Sequence, residues 1–282
     1  MNAESKLHPQ NHGFKWTPRR GPLRTITDEQ ARSYDERGFF ILERAIDRET
    51  LERVTAAIDP WEAKLEDALR RAPGGKIFIA QADGITFTTH LVKQSRVIRE
   101  FAASQLFADL CFDLIGPDVR LYWDQAVYKK PEYPKPFPWH QDNGYTYIEP
   151  QAYLTCWIAL TDATIDNGCP WVIPGGHLRG TLEHRLTGLG FVCREDDGLE
   201  ATPAPVRAGD IVVFTSLTPH RTGPNTTKSV RKSYILQYAP EGARVMPSAT
   251  ACDAPDRQFP ILKAGHRVPP PDLPERAAAS VS

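Results

Sequence analysis

The strongest constraint on the fold is a series of short β-rich segments in the second half of the chain. Proline, glycine or asparagine residues separate each segment from the next. The segments are residues 119–128, 153–160, 171–173, 206–214 and 233–238. Many short strands with turn residues between them are typical of a sandwich or a jelly roll, and they disfavour a parallel α/β sheet. We therefore predict a mainly β domain.

Helical patterns come before this series. Thr27 and Gln30 have the spacing of a capping box, and Gly38 marks the end of the helix that follows. Asp47 opens a second helical pattern, which resumes after Pro60. The predicted helices are residues 28–37, 47–71 and 95–114, and short strands are predicted at 39–42 and 76–81. The expected architecture is a β-barrel with flanking α-helices.

Length and composition favour one domain with a small partner. The chain has 282 residues, of which 41% are hydrophobic, so it can bury a sizeable core. We predict a flexible arm over residues 1–25, a single domain over 26–268 and an irregular tail over 269–282. The 34 basic and 35 acidic residues nearly cancel. No overall charge therefore favours nucleic acid or an anionic membrane, and a small molecule is the expected partner.

The cysteines and the apolar runs indicate the compartment. The five cysteines are scattered and form no Cys-x-x-Cys pair, which argues against a disulfide framework or a zinc knuckle. No apolar run approaches the roughly 20 residues of a membrane span, and the first 25 residues lack an apolar signal segment. We predict a cytoplasmic protein that is not inserted in a membrane.

Three ionisable residues in the β-rich half have the spacing of a metal site. His140 and Asp142 are two residues apart, so on an extended strand both side chains point to the same face. His220 follows another apolar run, and a neighbouring strand can bring it to the same place. Two imidazoles and one carboxylate form the facial triad that suits non-haem Fe(II). A cupin-like isomerase or a zinc or manganese hydrolase can use the same ligands, so the set alone leaves the chemistry open.

Longer motifs surround these residues. They are Trp139-His140-Gln141-Asp142, residues 157–163, 166–170 and 172–177, and Gly209–Phe214 before His220. In order and spacing, over roughly residues 26–267, the chain resembles the phytanoyl-CoA dioxygenase family of Fe(II)/2-oxoglutarate-dependent oxygenases. It has Gly175-Gly176-His177 where many relatives have Gly-Ser-His, a difference that touches none of the three triad residues.

The resemblance implies a double-stranded β-helix core, with Fe(II), 2-oxoglutarate and O2 as cofactor and cosubstrates. It implies hydroxylation of an unactivated carbon in a small organic substrate, with release of succinate and CO2. The implied iron ligands are His140, Asp142 and His220. Arg231 is the implied partner of the distal carboxylate of 2-oxoglutarate, and Trp157 and Thr222 are implied to line the 2-oxoglutarate pocket.

The residue types agree with these implied roles. The planar guanidinium of Arg231 can hold a carboxylate through two parallel hydrogen bonds, which a lysine cannot do. Thr222 lies two residues after His220, so strand alternation can turn its hydroxyl to the same face. Trp157 is as compatible with a core position as with a pocket wall.

Further positions near the triad are weaker candidates. Gln125 and Tyr128 precede it on one predicted strand, and alternation allows only one of them to contact the cosubstrate. Tyr145 and Tyr147 follow Asp142 and are candidate substrate contacts, although ordinary packing explains them equally well. Residues 186–200, with three glycines and an acidic cluster, are either a lid over the site or a connector between strands.

Other reactions remain open at this stage. The same cofactor set also serves desaturation, epimerisation and ring formation. A halogenase is disfavoured, because the carboxylate of Asp142 occupies the position that a halide needs. A non-catalytic small-molecule-binding barrel is a different class of protein, and the intact triad together with Arg231 argues against it.

Overall fold

The computed structural model describes residues 6–19, 21–195, 200–246 and 259–274. Cys252, part of the acidic cluster at 195–197 and most of the predicted C-terminal tail lie outside the described residues. The helices are α1 Asp28–Arg37, α2 Arg48–Arg71, α3 Arg96–Ala102 and α4 Gln105–Leu114. The strands are β1 Phe39–Leu42, β2 Lys76–Ile77, β3 Ala80–Gln81, β4 Ile85–Thr89, β5 Val119–Lys129, β6 Phe137–His140, β7 Ile148–Glu149, β8 Leu154–Ala159, β9 Pro170–Val172, β10 Arg185–Thr187, β11 Gly190–Val192, β12 Thr202–Pro203, β13 Ile211–Thr215, β14 His220–Thr222, β15 Arg231–Pro240, β16 Arg244–Val245, β17 Pro260–Lys263 and β18 His266–Arg267.

The helix signals read from the sequence are confirmed at both N-terminal helices. Thr27 and Gln30 form the complete capping box of α1, and Gly38 ends that helix in the left-handed conformation. Asp47 accepts a hydrogen bond from the backbone of Thr50 at the start of α2, and this helix runs through Pro60 without a break. Side-chain capping satisfies backbone donors that a helix start would otherwise leave unpaired.

Three predicted elements are corrected. The helix expected over 95–114 is two helices, because the chain turns at Ala103 and Ser104 and Ser104 begins α4. The strand expected over 76–81 is a tight hairpin of β2 and β3, since Phe78 has a positive φ of 51° that an extended strand excludes. The strand expected over 206–214 begins only at Ile211 and runs to Thr215.

The strands form the two facing sheets of a jelly roll, so the predicted fold class is confirmed. The larger sheet has the order β1-β13-β8-β15-β5-β4-β3-β2; β17 also pairs with β5, and β18 pairs with β17. The smaller sheet has the order β12-β9-β14-β6. Every strand pairing described within these sheets is antiparallel. This arrangement is the double-stranded β-helix that the family resemblance implied.

Strand alternation divides the apolar residues between two environments. Cys156 and Ile158 of β8 point to the helices and join the main core with residues of α2, α3 and α4. Trp157 and Ala159 of the same strand point into the barrel, where they meet Val212 of β13. Because successive side chains of a strand face opposite sides, one strand serves both the core and the barrel interior. The interior between the two sheets is where the candidate site lies.

The described part of the predicted N-terminal arm lies against the body of the domain. The backbone N–H of His8 donates to the carbonyl of Thr181 at 2.9 Å, and the indole of Trp16 donates to Asp35 at 3.0 Å. The division into arm, domain and tail stays a prediction. In the part of the chain that the structure describes, no helix is both long and apolar enough to cross a membrane.

Candidate active site

His140, Asp142 and His220 come together inside the barrel. β6 and β14 are neighbours in the smaller sheet, and His140 and His220 are direct partners across them. One ligand atom from each of the three residues lies within 4.8 Å of the other two. The Nε2 atom of His220 is 3.8 Å from Oδ1 of Asp142. The sequence placed Asp142 on the strand; it instead begins the short turn 142–144 after β6, yet the extended backbone of Gln141 keeps it on the same side as His140.

Backbone carbonyls fix the orientation of both imidazoles. Nδ1 of His140 is 2.8 Å from the carbonyl oxygen of Pro138, and Nδ1 of His220 is 2.9 Å from that of Thr218. A carbonyl can only accept, so each ring carries its proton on Nδ1 and presents the lone pair of Nε2. Burial, together with the nearby His220 ring, lowers the pKa of His140 well below its ordinary value. A neutral imidazole is the form that binds a metal.

Two buried side chains that the sequence did not single out hold the triad in place. The hydroxyl of Thr155 on β8 donates to Oδ2 of Asp142 at 2.5 Å, which leaves Oδ1 on the side of His220. Gln141 points away from the site and is fully buried. Its amide donates to the carbonyl of Leu217 at 2.6 Å and accepts from the backbone of Leu182 at 2.6 Å. These bonds tie the triad segment to the chain just before His220.

Arg231 lies in the same cavity and is fully buried at the start of β15. Its Nη1 donates to Oγ of Ser233 at 2.6 Å and to the carbonyl of Val127 at 3.2 Å. Nε and Nη2 are buried without a hydrogen-bond partner. Burial lowers the pKa of Arg231 to about 10, so the side chain keeps its charge near neutral pH. Burying a charged guanidinium with two unpaired N–H donors costs free energy of folding unless an anion accepts hydrogen bonds from those donors.

Three other predicted cofactor residues line this cavity. The guanidinium of Arg231 lies over the ring of Trp157, with Cζ 5.3 Å from the ring centroid. Thr222 lies on β14 beyond His220, and its Oγ1 accepts from Lys129 at 3.0 Å. Gln125 lies on β5 and accepts from the indole of Trp123 at 3.3 Å. All three residues reach the cavity that holds the triad.

The structure does not bring Tyr128 and Tyr147 to the site. Tyr128 is on the helix side of β5, where its hydroxyl donates to Asp59 of α2 at 2.6 Å. Alternation along β5 therefore excludes Tyr128 and leaves Gln125 of this pair. Tyr147 points away because residues 142–145 turn instead of alternating as a strand, and its hydroxyl contacts Glu149 at 2.7 Å. Tyr145, the other predicted substrate residue, does line the cavity.

The outer end of the cavity, its mouth, is walled by apolar side chains, several of which come from short hairpins. The cavity volume is about 450 Å³. Phe191 of β11 packs against Tyr145 with ring centroids 5.1 Å apart. The apolar residues of this end are Leu65, Ile77, Phe78, Ile79, Ile85, Phe87, Phe137, Tyr145 and Phe191. Of these residues, sequence reasoning placed only Tyr145 at the site. Ile77, Phe78, Ile79 and Phe191 lie in a turn or in strands of two or three residues, which carry no clear pattern.

The segment considered as a lid begins as the β10–β11 hairpin. Leu186 pairs with Phe191 in this hairpin, and residues 196–199 lie outside the described part of the chain. His184, just before the hairpin, accepts the backbone N–H of Gln141 through Nε2 at 2.9 Å. A Cβ on Gly144 would come within 2.0 Å of the His184 ring, so only glycine fits there. His184 thus fixes the residue before the hairpin to the triad segment, and movement of the hairpin as a lid stays a prediction.

The two-histidine-one-carboxylate set in a jelly roll, with two unpartnered donors of a buried arginine in the same cavity, is typical of a non-haem iron, 2-oxoglutarate-dependent oxygenase. The sequence comparison agrees. The model of the phytanoyl-CoA dioxygenase (PhyH) family matches residues 34–233, and the chain belongs to this family. Its cofactor and cosubstrates are therefore Fe(II), 2-oxoglutarate and O2. The imidazole nitrogens of His140 and His220 and the carboxylate of Asp142 suit Fe(II), and the unpartnered N–H groups of Arg231 suit a carboxylate of 2-oxoglutarate.

Two curated relatives illustrate the range of the family. The chain is 28% identical over 221 residues to a methylphosphonate hydroxylase of Gimesia maris, a match that covers 76% of this chain and 81% of that protein. It is 26% identical over 234 residues to phytanoyl-CoA dioxygenase 1 of Oryza sativa subsp. japonica, covering 68% and 82% of the two chains.

Solved structures share the fold. A non-haem, α-ketoglutarate-dependent carbocyclase of nogalamycin biosynthesis superposes with a TM-score of 0.66 at 23% identity, over 82% of this chain and 91% of that one. EvdO2 from Micromonospora carbonacea var. aurantiaca in complex with 2-oxoglutarate gives a TM-score of 0.59 at 26% identity, over 83% and 97%. An epimerase also shares the fold, with a TM-score of 0.64 at 20% identity over 83% and 97%.

Proposed function

We propose that this chain hydroxylates an unactivated carbon of a small organic substrate in the barrel cavity. In this proposal His140, Asp142 and His220 hold the iron, and Arg231 holds the distal carboxylate of 2-oxoglutarate. The observation that carries the proposal is the pair of buried, unpartnered donors on Arg231 in the cavity of the triad. A bidentate guanidinium–carboxylate contact would satisfy both donors at once.

The bound iron supplies the chemistry that couples O2 to decarboxylation of 2-oxoglutarate. Overall, one oxygen atom enters a C–H bond of the substrate and the other enters succinate, while C1 of 2-oxoglutarate leaves as CO2. The four electrons that reduce O2 come in equal parts from the substrate carbon and from the decarboxylation. The ring Nε2 atoms of His140 and His220 and one oxygen of Asp142 would each provide one ligand to that iron.

The remaining residues orient the reactants and exclude water. Thr155 holds the carboxylate of Asp142 so that one oxygen faces His220. Trp157 stacks beside the guanidinium of Arg231, and Thr222 offers a hydroxyl beside His220. The apolar side chains at the mouth of the cavity, among them Phe191 and Tyr145, receive the substrate and keep water from the reacting carbon.

Hydroxylation is favoured over other outcomes by the methylphosphonate hydroxylase relative. The epimerase and the carbocyclase share the fold at lower identity, so their reactions are the competing outcomes. A screen of uncharged and charged small organic compounds, scored by succinate release, identifies a substrate. The His140→Ala variant is the negative control.

The product formed under isotopically heavy O2 then distinguishes the reactions. Hydroxylation adds one heavy oxygen atom to the product. Desaturation or ring formation removes two hydrogen atoms without adding oxygen, and epimerisation leaves the mass unchanged in light water. A product without the heavy atom would contradict the proposed hydroxylation. The complete absence of 2-oxoglutarate turnover with any compound would contradict oxygenase activity itself.

A further inference from the structure

The described residues that line the cavity include few charges. Its ionisable groups are the triad, Arg231 and three tyrosines, Tyr122, Tyr145 and Tyr153. A tyrosine hydroxyl is neutral near pH 7. The proposed function assigns Arg231 to 2-oxoglutarate. No lining cation among the described residues then remains for an anionic substrate, and an unpaired anion in such a cavity is costly.

The mouth of the cavity is rimmed by exposed apolar side chains. Ile77 and Phe78 line the cavity from the β2–β3 hairpin and are 50% and 60% exposed. Leu186 and Leu189 of the β10–β11 hairpin do not line the cavity, but they are 61% and 37% exposed on the hairpin that carries the lining residue Phe191. The ammonium of Lys76 donates to the carbonyl of Gly188, so the two hairpins meet. A cluster of exposed apolar side chains around a cavity marks a binding surface.

Phe78 adds a second observation at this mouth. Its φ of 51° places a bulky aromatic residue in the left-handed region, which is costly for any residue except glycine. The side chain is also largely exposed, so burial does not offset the cost. Strain of this kind concentrates at sites where a side chain contacts a ligand.

Resting on the proposed function, we propose that the substrate is an uncharged, mainly apolar molecule with at least one ring. Aromatic side chains supply much of its binding surface: Phe78, Phe87, Phe137, Tyr145 and Phe191. Stacking and edge contacts on such side chains favour planar or cyclic groups over flexible chains. Gln125 and Gln237 also line the cavity and can orient a hydroxyl or a carbonyl of the substrate.

Matched probes test this inference without turnover. The methyl ester and the carboxylate of naphthalene-2-carboxylic acid differ mainly in charge. Their binding is followed by quenching of tryptophan fluorescence, since Trp123 and Trp157 line the cavity. The protein is loaded with Fe(II) and 2-oxoglutarate without O2, and the titration is repeated without either. We expect the ester to bind at least about tenfold more tightly than the carboxylate.

The Phe191→Ala variant should weaken ester binding several-fold. Leu178→Ala is the matched control, because Leu178 is a 48% exposed apolar residue that does not line the cavity. Equal or tighter binding of the carboxylate would overturn the inference, and so would ester binding that is insensitive to Phe191→Ala. Because these readouts need no turnover, their failure is distinct from a failure to convert 2-oxoglutarate to succinate.

A different observation supports a role for Lys129. This residue is fully buried and is the cross-strand partner of Arg231. Its ammonium donates to Oγ1 of Thr222 at 3.0 Å and to the carbonyl of Gly223. Gly168 closes over its stem, since a Cβ there would lie 3.2 Å from Cδ of Lys129. None of the ion pairs found among the described residues includes Lys129, and burial together with the neighbouring Arg231 lowers the pKa of Lys129 well below its ordinary value.

We infer that Lys129 is a positioning residue for the cosubstrate. When Thr222 Oγ1 accepts from Lys129, its own hydrogen has to point elsewhere, and Thr222 lines the cavity near Arg231. The hydroxyl is thereby set to donate to an anion in the cavity. The distal carboxylate would then offset the charge of Arg231 and favour the protonated form of Lys129 beside it.

A double-mutant cycle on 2-oxoglutarate binding tests this role. Calorimetry without O2 compares Lys129→Met, Thr222→Val and the double variant, with Thr222→Ser as the conservative control. We expect Lys129→Met to weaken binding about tenfold and Thr222→Val to weaken it by a similar factor, because each removes a polar contact to a charged group. The double variant should lose less than the product of the two factors, since both act through one hydroxyl.

Lys232→Met is the matched lysine control. Lys232 is the next residue on β15, points to the helix side and pairs with Asp59 at 2.8 Å. The Lys232→Met variant should therefore leave the affinity for 2-oxoglutarate unchanged. Multiplicative effects of Lys129→Met and Thr222→Val would overturn the inference. Unchanged affinity in Thr222→Val would do so too, even if Lys129→Met fails to fold.

Discussion

The inner end of the cavity and its mouth are built in different ways. At the inner end, His140, His220 and Arg231 are each under 10% exposed and come from regular strands of both sheets. At the mouth, Ile77 and Phe78 are half or more exposed and come from a tight hairpin. The rigid strands suit groups that have to hold a metal and a carboxylate at fixed distances. The hairpins suit a surface that is specific to one substrate.

The largest expected effect is at the triad. Asp142→Ala removes the only carboxylate of the triad, and His140→Ala removes one of its two imidazoles. Because the core is formed by other residues, we expect either variant to fold while tight Fe(II) binding is lost. Metal analysis after anaerobic reconstitution and gel filtration measures this. Full iron occupancy in the His140→Ala, Asp142→Ala double variant would contradict the assignment.

A smaller loss of iron affinity is expected when the Thr155 hydroxyl, which orients Asp142, is removed. Thr155→Val keeps the shape of the side chain and removes the 2.5 Å hydrogen bond to Oδ2. Loss of a hydrogen-bond partner to a metal ligand lowers metal affinity by about 10–100-fold. Competition with a chelator of known affinity measures the change. Thr215→Val, a buried threonine on the neighbouring β13, is the control and should leave iron affinity unchanged.

The smallest expected effect is on the free energy of unfolding, and it arises from the contact between His184 and the triad segment. Burial lowers the pKa of His184 to about 4, compared with about 6.5 in the unfolded chain. The unfolded state therefore binds the proton more readily, and the stability that the neutral ring contributes falls as pH falls from 6.5 towards 4. We expect the difference in unfolding free energy between the protein and His184→Gln to shrink by about 1 kcal/mol from pH 6.5 to 5.5.

Chemical denaturation at several pH values measures this difference. The comparison with the variant cancels contributions from the other histidines. Parallel stability curves for the two proteins over that range would show that His184 is not held neutral by the fold.

The contrast between the inner end of the cavity and its mouth also explains which site residues could be predicted from the sequence. The triad and Arg231 were recognisable because their chemistry requires particular residue types at the ends of apolar strands. Alternation correctly allowed only one of Gln125 and Tyr128, but choosing between them required knowing which face of β5 the helices cover. Tyr147, predicted as a substrate contact, lies away from the cavity because a short turn after Asp142 replaces the strand.

Residues that act through others carried no sequence signal. Thr155, Lys129 and His184 lie far along the chain from the groups they contact, and threonine, lysine and histidine have many ordinary roles. The register of β5 and β15 places Lys129 beside Arg231, and the packing of the two sheets brings Thr155 of β8 to Asp142 after β6. The mouth was equally hidden, since hairpins of two or three residues per strand are too short to show a period.

The central claim is that one cavity holds iron at the triad and 2-oxoglutarate at Arg231. Titration of 2-oxoglutarate into iron-loaded Arg231→Ala without O2 tests it most directly, with iron content measured in the same sample. Loss of a buried charged partner costs roughly 2–5 kcal/mol, so we predict a fall in affinity of about two to three orders of magnitude at unchanged iron content. Unchanged 2-oxoglutarate affinity in this variant would contradict the account.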